Sequence, residues 1–266
     1  MLGAAPVYAF GVEPGWLEQT HHRVRLPHCG LSGKIRILQL TDFHASSVVP
    51  FTLIERSVDM GLSARPDLIC LTGDFVTDAQ PVDHAEYARI LRRLASAAPT
   101  FACLGNHDGG VWARKIRGFE DTSVVRGLLD AASVTLLHNR SESVRVRNQV
   151  LRLAGVGDLW SRQIDGGLAF HDVQPEEPTV VLAHNPDTKD VLADRHWDLM
   201  LSGHTHGGQV IVPLVGPPFV PVHDKRFISD LKPWNGRQIY VSRGVGNVAG
   251  VRLNCRPEVT VLDLTA

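Results

Sequence analysis

Three stretches of the 266-residue chain decide its fold. Residues 34–44 read KIRILQLTDFH, residues 67–74 read DLICLTGD, and residues 100–108 read TFACLGNHD. Each stretch begins with a short apolar run, which is typical of a strand buried on both faces, and ends in Asp, His or Asn. Apolar residues at helical spacing occupy the two intervals, over residues 53–64 and 84–98. This β-α-β-α-β order predicts a largely parallel sheet covered by helices.

The second half of the chain is richer in predicted strands. We predict strands over residues 134–137, 144–146, 150–156, 179–183, 199–202, 209–212, 239–241 and 259–264. Helices are predicted over residues 123–131 and 187–194. With an edge strand around residues 24–26, we expect a lead-in over residues 1–33. A single α/β domain follows over residues 34–266, in which two facing sheets have helices outside them.

Composition excludes several classes of protein. Hydrophobic residues make up 44% of the chain and charged residues 21%, which is typical of a globular protein and not of a disordered one. Lys and Arg number 27 against 28 Asp and Glu, so no stable nucleic-acid partner is expected. The cysteines are widely spaced without a C-x-x-C pair, and we expect them to be buried and unpaired. They are Cys29, Cys70, Cys103 and Cys255.

Polar side chains with metal-binding atoms follow the predicted strands directly. They are Asp42, His44, Asp74, Asn106, His107, His184, His204 and His206. Ligand sites of open α/β sheets lie beyond the carboxyl ends of the strands, so we expect these side chains to converge. In an extended chain the side chains of residues i and i+2 point the same way, so Asp42 and His44 can reach one ion. The same holds for His204 and His206 if the chain is extended there.

The chemistry of this set favours divalent cations. Leaving His107 aside, it offers two carboxylates, four imidazoles and one amide oxygen. Such mixed oxygen and nitrogen donors suit Mn²⁺, Fe²⁺ or Zn²⁺ better than Ca²⁺. Seven ligands are too many for one tetrahedral ion but fit two ions that share a carboxylate.

The order of these motifs resembles that of the calcineurin-like metallophosphoesterases. The motifs are Asp42-x-His44, Gly73-Asp74, Gly105-Asn106-His107-Asp108, the lone His184, and Gly203-His204-x-His206. The resemblance implies a four-layer α/β/β/α sandwich with two mixed sheets flanked by helices. It also implies an enzyme that hydrolyses a phosphodiester or pyrophosphate bond through a hydroxide bridging two ions, with Mn²⁺ the expected metal and Fe or Zn²⁺ as alternatives.

The resemblance assigns a role to each residue of the motifs. The first ion would be held by Asp42, His44, Asp74 and His206. The second would be held by Asp74 as the bridging ligand, Asn106, His184 and His204. His107 would be the general acid for the leaving oxygen, and Asp108 would orient His107.

The possible substrate and the cellular location of the protein are suggested only by its resemblance to one subgroup of the family. Residues 73–78 read GDFVTD rather than GDxxDRG, which disfavours a protein phosphatase. The segments around residues 184–187, 203–209 and 240–244 are similar to a bacterial subgroup of exported or membrane-associated phosphodiesterases. That subgroup includes UDP-2,3-diacylglucosamine pyrophosphatases, so the substrate could be lipid-linked and the chain could contact a membrane. The apolar residues 1–10 are compatible with a trimmed export signal or anchor.

Several candidates and alternatives stay open. Arg243 could bind phosphate, and Asn185 and Gln209 could contact substrate or fix imidazoles, although ion pairing or structural roles explain them equally well. Asp158 could enter the cleft. The apolar loop, residues 210–222, could shape an acyl groove or pack on the sheet edge. A phosphomonoesterase of the same mechanism is the alternative function; a non-catalytic scaffold is disfavoured because all seven ligands are kept.

Overall fold

The computed structural model of this chain describes residues 4–26, 31, 33–80 and 82–266. Twelve strands are assigned within these ranges: β1 Glu18–Arg25, β2 Ile35–Leu40, β3 Leu68–Thr72, β4 Thr100–Cys103, β5 Thr135–Leu136, β6 Arg140–Val146, β7 Gln149–Gly155, β8 Thr179–Leu182, β9 Leu199–Ser202, β10 Asp230–Trp234, β11 Arg237–Val241 and β12 Glu258–Thr265. The α-helices of the same ranges are α1 Ala4–Val7, α2 Phe51–Ser63, α3 His84–Ala97, α4 Ser123–Ala131, α5 Gly166–Ala169 and α6 Thr188–Val191.

The strands form two mixed six-stranded sheets. The first has the order β1-β12-β2-β3-β4-β5, and β2 to β5 run parallel to one another. The second has the order β10-β11-β9-β8-β7-β6, in which β11, β9, β8 and β7 are parallel. The antiparallel pairs are β12 with β2, β10 with β11, and β6 with β7. The predicted α/β class with two mixed sheets is confirmed.

Alternating side chains of the central strands supply separate cores. Ile35 and Ile37 of β2 belong to the core between the sheets, whereas Leu38 and Leu40 pack against the helix layer of α2, α3 and α4. A third core covers the outer face of the second sheet and contains Trp197. Strands buried on both faces need apolar residues at every position, which explains the continuous apolar runs in the sequence.

Gln39 is a buried polar residue at the core between the sheets. Its side-chain amide donates at 2.9 Å to the hydroxyl of Thr72 on β3 and at 2.9 Å to the carbonyl of Ser202 on β9. Because a buried amide must find partners, these bonds join the ends of strands from both sheets. The carboxyl ends of β2, β3 and β9 therefore meet at one edge of the sandwich.

Two sequence predictions are wrong in detail, and one strand was missed. Residues 209–212 do not form a strand, because Gln209 adopts a positive φ of 58° and only isolated pairings follow it. The predicted helix over residues 187–194 is limited to Thr188–Val191. Strand β10 was not predicted, because Asp230, Lys232 and Pro233 break its apolar pattern; it pairs on one side only, where proline is tolerated.

The beginning of the chain adds an edge strand to the first sheet. Strand β1 pairs in parallel with β12 over eight residues, so it is longer than the edge strand expected around residues 24–26. The domain division at residues 33 and 34 stays a prediction. Cys70, Cys103 and Cys255 are buried and free as expected, and Cys29 lies outside the described residues. No helix in the described ranges has the length and apolar character needed to cross a membrane.

Two helical glycines provide a test of how α2 packs on the sheet. A Cβ on Gly61 of α2 would lie 2.6 Å from Cδ2 of the buried Leu38, whereas one on Gly127 of α4 would meet nothing within 4 Å. Gly127→Ala should raise the free energy of unfolding by about 1 kcal/mol, because alanine favours the helix. Gly61→Ala gains the same propensity but should lower that free energy by about 1–2 kcal/mol through overpacking. Chemical denaturation measures both; equal stabilisation by the two variants would contradict the close packing.

Candidate metal centre

The turns after the strands hold the predicted ligands in left-handed backbone conformations. Asp42 and His44 have φ values of 53° and 48°, Asp74 has 55°, and His204 and His206 have 69° and 50°. Neither pair is therefore extended, although Asp42 and His44 still come together in one group. Left-handed residues turn the chain sharply, and the strain they carry is typical of functional sites. His204 and His206 consequently point into two different groups.

The first group consists of Asp42, His44 and His206, with ligand atoms within 4.8 Å of one another. Nε2 of His206 lies 3.3 Å from Oδ1 of Asp42 and 3.1 Å from Nε2 of His44. All three side chains are buried. They come from the turns after β2 and β9, so this group bridges the two sheets.

The second group consists of Asp74, His184 and His204, again with ligand atoms within 4.8 Å. Nε2 of His184 lies 3.1 Å from Oδ2 of Asp74, and that same oxygen is 3.5 Å from Nε2 of His44. Asp74 therefore adjoins both groups, as a shared ligand must. We call the two groups together with Asn106 the metal cluster.

Unpaired buried atoms indicate that the cluster fits cations. Oδ1 of Asn106 is buried and has no hydrogen-bond donor among the described residues. Nδ1 of His184 bonds the Thr72 carbonyl at 2.7 Å, so in that tautomer its Nε2 presents a lone pair to the Asp74 carboxylate. Two facing acceptors repel each other unless a proton or a cation lies between them. The described residues thus fit two divalent cations.

Burial and charge set the protonation of the cluster. Burial lowers the pKa of His44 and of His204 to about 3, so both imidazoles are neutral, the form that binds metals. Burial raises the pKa of Asp42 to about 6. Burial also opposes charge on His184, but the Asp74 carboxylate outweighs it and raises the pKa of His184 to about 10. The carboxylates therefore stabilise positive charge at this position.

His204 is oriented by the apolar loop, residues 210–222. Its Nε2 lies 3.0 Å from the carbonyl of Pro221, which as an acceptor keeps a proton on Nε2. Nδ1 is then the nitrogen available to an ion. Such a bond on the far nitrogen is the usual way in which proteins fix a ligating imidazole.

His107 lies beside the cluster. Its backbone N–H donates to Oδ1 of Asp74 at 2.9 Å, and its Nδ1 lies 2.6 Å from the carbonyl of Thr77. Its ring meets that of His44 nearly edge-on, with centroids 4.7 Å apart. Because Nδ1–H is bonded to a carbonyl, Nε2 is the nitrogen that can exchange a proton in the cavity.

Asp108 does not orient His107, and that prediction is wrong. The Asp108 carboxylate accepts backbone N–H groups of Asp74 at 2.9 Å, Phe75 at 2.7 Å and Gly105 at 2.8 Å. It is fully buried, and burial raises its pKa to about 8. Its role is to hold the turns after β3 and β4 together.

Of the two roles left open for Arg243, the structure supports ion pairing and not phosphate binding. Its Nη2 donates to Glu18 at 2.7 Å and its Nε to the buried Glu258 at 3.2 Å. Both carboxylates occupy the guanidinium, so it is not free for an anion. Sequence reasoning missed the neighbouring Arg252, which is fully buried and donates to the carbonyls of Arg243 and Gly246 behind His206.

Of the remaining polar candidates, two form turns and one lines the cavity. Oδ1 of Asn185 accepts the N–H of Asp187 at 2.9 Å, which closes a turn, and its Nδ2 is buried without a partner in the described part of the chain. Gln209 lines the cavity above the cluster. Asp158 is buried and accepts the N–H of Ser161 at 2.6 Å, and it is not part of the cavity lining.

A cavity of about 420 Å³ opens above the metal cluster. Its lining consists of Asp74, Asn106, His107, Trp112, Trp160, His204, Thr205, His206, Gly208, Gln209, Val210, Pro218, Phe219, Pro221 and Val248. None of these described lining residues is Lys or Arg. The apolar loop contributes several of them, and it exposes Leu214, Val215 and Phe219 to solvent. An apolar substituent is therefore compatible with this cavity.

Sequence reasoning also missed the two tryptophans of the cavity. Trp112 packs against His107 with ring centroids 4.6 Å apart, and Trp160 packs against His204 at 4.3 Å. Their two indoles lie 5.5 Å apart. Only their positions in the sequence could have indicated them. Trp112 lies in the loop after β4 and Trp160 in the loop after β7, and both strands end at this edge of the sandwich.

Comparison with known proteins agrees with this geometry. The profile of the family described as calcineurin-like phosphoesterase matches residues 35–208. The phosphodiesterase YaeI of Escherichia coli is 44% identical over 257 residues, covering 97% of this chain and 92% of that protein. The UDP-2,3-diacylglucosamine pyrophosphatase LpxG of Chlamydia muridarum is 29% identical, covering 97% and 94%.

Solved structures share the fold at low sequence identity. The NAD nucleotidase NadN of Haemophilus influenzae superimposes with a TM-score of 0.52 at 12% identity, covering 80% of this chain and 45% of that one. A 5'-nucleotidase precursor of Thermus thermophilus gives a TM-score of 0.50 at 13% identity, covering 87% and 54%. The family profile, the similarity to YaeI and the buried metal cluster at the strand ends agree. The chain belongs to the calcineurin-like metallophosphoesterase family and is a metal-dependent phosphoric ester hydrolase.

Proposed function

We propose that this enzyme hydrolyses phosphodiesters at a dinuclear centre whose shared ligand is Asp74. The observation that carries the proposal is that Asp74 adjoins both buried groups of the metal cluster. Asp42, His44 and His206 would complete the first ion's protein ligands. Asn106, His184 and His204 would complete the second's. Mn²⁺ is the proposed ion, because the donors are mixed oxygen and nitrogen atoms.

Residues of the chain supply the proton transfer and the positioning that the reaction needs besides the metal ions. Two divalent cations, when bound, supply Lewis acidity toward the phosphoryl oxygens and an ionised water as nucleophile. His107 holds a proton at Nε2 in its imidazolium form and passes it to the leaving oxygen as the ester bond breaks. The Thr77 carbonyl accepts Nδ1–H and thereby fixes the ring. Asp108 keeps Asp74 in place through backbone N–H groups.

Charge favours a diester over a monoester. A phosphodiester carries one negative charge near neutral pH, whereas a monoester approaches two. The described lining offers no Lys or Arg to balance the second charge outside the metal cluster. Apolar surfaces raise the cost of burying an unpaired charge. Diesters should consequently be the better substrates.

With Mn²⁺ bound, the enzyme should cleave bis(4-nitrophenyl) phosphate faster than 4-nitrophenyl phosphate, as measured by nitrophenolate release.

Replacing His107 tests the proposed general acid. For a diester with a poor alkoxide leaving group, His107→Ala should lower kcat by about 10²- to 10⁴-fold, because that leaving oxygen needs a proton. Metal content should be unchanged. His171→Ala is the matched control, since the side chain of His171 is 78% exposed and outside the cavity.

Two outcomes would contradict this assignment. An unchanged kcat for the alkyl diester in the metal-replete His107→Ala variant would remove His107 from the proton transfer. Faster cleavage of the monoester than of the diester would instead favour the phosphomonoesterase alternative.

Replacing Asp74 tests the shared ligand. Asp74→Asn removes the charge that both groups use, so metal content by elemental analysis should fall at both positions and not at one. Hydrolysis of the aryl diester should fall with it. Asp172→Asn, at an aspartate whose side chain is 73% exposed, serves as the control and should leave metal content unchanged. Two ions per chain in the Asp74→Asn variant would defeat the bridging assignment.

A lipid-linked nucleotide is a second candidate substrate. LpxG, a relative covered over 94% of its length, is described as a UDP-2,3-diacylglucosamine pyrophosphatase. The apolar loop supports the same substrate here, because it lines the cavity and its lining residue Phe219 is largely exposed to solvent. Exposed apolar side chains at a cavity mouth are suited to acyl chains or a membrane surface, so peripheral membrane contact belongs to this candidate.

Comparison with an acyl-free nucleotide sugar tests this candidate. Turnover of UDP-2,3-diacylglucosamine in mild detergent should exceed that of UDP-glucose, which has the pyrophosphate but no acyl chains. Phe219→Ala should reduce the preference several-fold, because it removes apolar area at the cavity mouth. Product release can be followed by UMP chromatography. Equal turnover of the two nucleotides, or a preference unaffected by Phe219→Ala, would return the apolar loop to a structural role.

A further inference from the structure

We infer that Trp112 and Trp160 together form a specificity subsite, the indole pair, for an apolar substituent of the phosphoester. The inference rests on the proposed function only for where the phosphoryl group lies. It goes further by assigning two residues that none of the metal motifs contains.

The indole pair reaches from the proposed acid to a proposed ligand. Trp112 contacts His107 with ring centroids 4.6 Å apart and an interplanar angle of 62°. Trp160 contacts His204 at 4.3 Å and 89°. The two indoles lie 5.5 Å apart and are tilted by 39°. A substituent on a phosphoryl group beside His107 and His204 would therefore lie against both rings.

The loops that carry the indoles are joined, so the subsite exists before substrate arrives. The hydroxyl of Ser161 is 3.4 Å from the carbonyl of Gly109, which links the loop after β7 to the loop after β4. Asp158 accepts the N–H of Ser161 at 2.6 Å. A Cβ on Gly110 would lie 3.6 Å from the Cβ of Ser161, so the two loops lie close together there. A preformed subsite lowers the ordering cost of binding.

The rest of the cavity lining is mostly apolar as well. Val210, Pro218, Phe219 and Val248 line it, and only Thr205 and Gln209 add polar side chains apart from the metal cluster and His107. Both indoles keep part of their surface exposed to the cavity. A sugar or a second phosphate placed between these surfaces would lose hydrogen bonds to water. The chemistry that fits is an aryl ring or an aliphatic chain.

Phosphonates that differ only in their substituent test the indole pair. Methylphosphonate, phenylphosphonate and octylphosphonate should be titrated by calorimetry into Mn²⁺-loaded protein. Phenylphosphonate or octylphosphonate should bind about tenfold more tightly than methylphosphonate, through the extra apolar area buried. Tighter binding of the phenyl compound identifies an aryl subsite, and tighter binding of the octyl compound identifies an acyl-chain subsite.

Variants connect the preference to the two residues. Trp160→Ala and Trp112→Ala should each bring the ratio of dissociation constants close to one, and Trp160→Phe should retain part of it. The ratio compares ligands on the same protein, so it is insensitive to a partial loss of metal. Leu168→Ala is the matched control, since Leu168 is 63% exposed and outside the cavity. A ratio near one in the unmodified enzyme, or a ratio that survives both alanine variants, would overturn the inference.

A kinetic measurement separates this inference from the proposed function. Methyl 4-nitrophenyl phosphate and phenyl 4-nitrophenyl phosphate release the same nitrophenolate, so their difference in kcat/KM reports the other substituent. Hydrolysis of both with no preference would overturn the indole pair and leave the diesterase intact. Hydrolysis of neither, combined with a phosphonate preference that depends on the tryptophans, would defeat the diesterase and support the subsite.

Discussion

The carboxylate of Asp108 is the interaction on which the site depends. It is fully buried, yet it receives three backbone N–H groups, from Asp74, Phe75 and Gly105. Those amides belong to turns that leave the sheet after β3 and β4, where no neighbouring strand can pair with them. A buried amide without a partner is costly, so one carboxylate that satisfies three of them fixes both turns at once. Asp74 is held between the two histidine groups as a result, and His107 is held beside it through its own N–H bond to Asp74.

The close approach of the turns at the strand ends imposes a second constraint. Glycine stands where the turns meet the carboxylates: a Cβ on Gly105 would overlap the Asp74 carboxylate, and a Cβ on Gly203 would overlap that of Asp42. No larger residue fits at either position without moving a ligand. The glycines of the motifs therefore belong to the structure of the metal centre, because each lets the carboxylate of one turn lie against the backbone of a neighbouring turn. Gln39 adds a bond across the same edge through Ser202.

The position of the site could be predicted from the sequence, but the side-chain partners could not. Apolar runs ending in Asp42, Asp74 and Asn106 locate the strand ends, and parallel strands end at one edge of a sheet, so convergence followed from topology. The left-handed turns did not follow, because an i, i+2 pattern is equally consistent with extended chain. The choice between ion pairing and phosphate binding at Arg243 stayed open for a related reason: its partner Glu18 is 225 residues distant in sequence, and no local pattern indicates such a contact. Asp108 stands next to His107 in sequence, yet its side chain points to backbone instead.

The metal cluster and the cavity above it are held by different kinds of contact, which explains why the cluster could be predicted from the sequence and the cavity could not. The cluster is built from strand ends, whose positions the hydrogen-bond ladder of the sheet dictates. The cavity above it is built from loops, and each loop takes its position from distant partners. Asp187 accepts N–H groups of His223 and Asp224, and the buried Lys189 lies 3.5 Å from the Asp224 carboxylate. These contacts hold the end of the apolar loop where the Pro221 carbonyl meets Nε2 of His204. A change in that loop would thus alter both the shape of the cavity and the orientation of the His204 imidazole in the cluster.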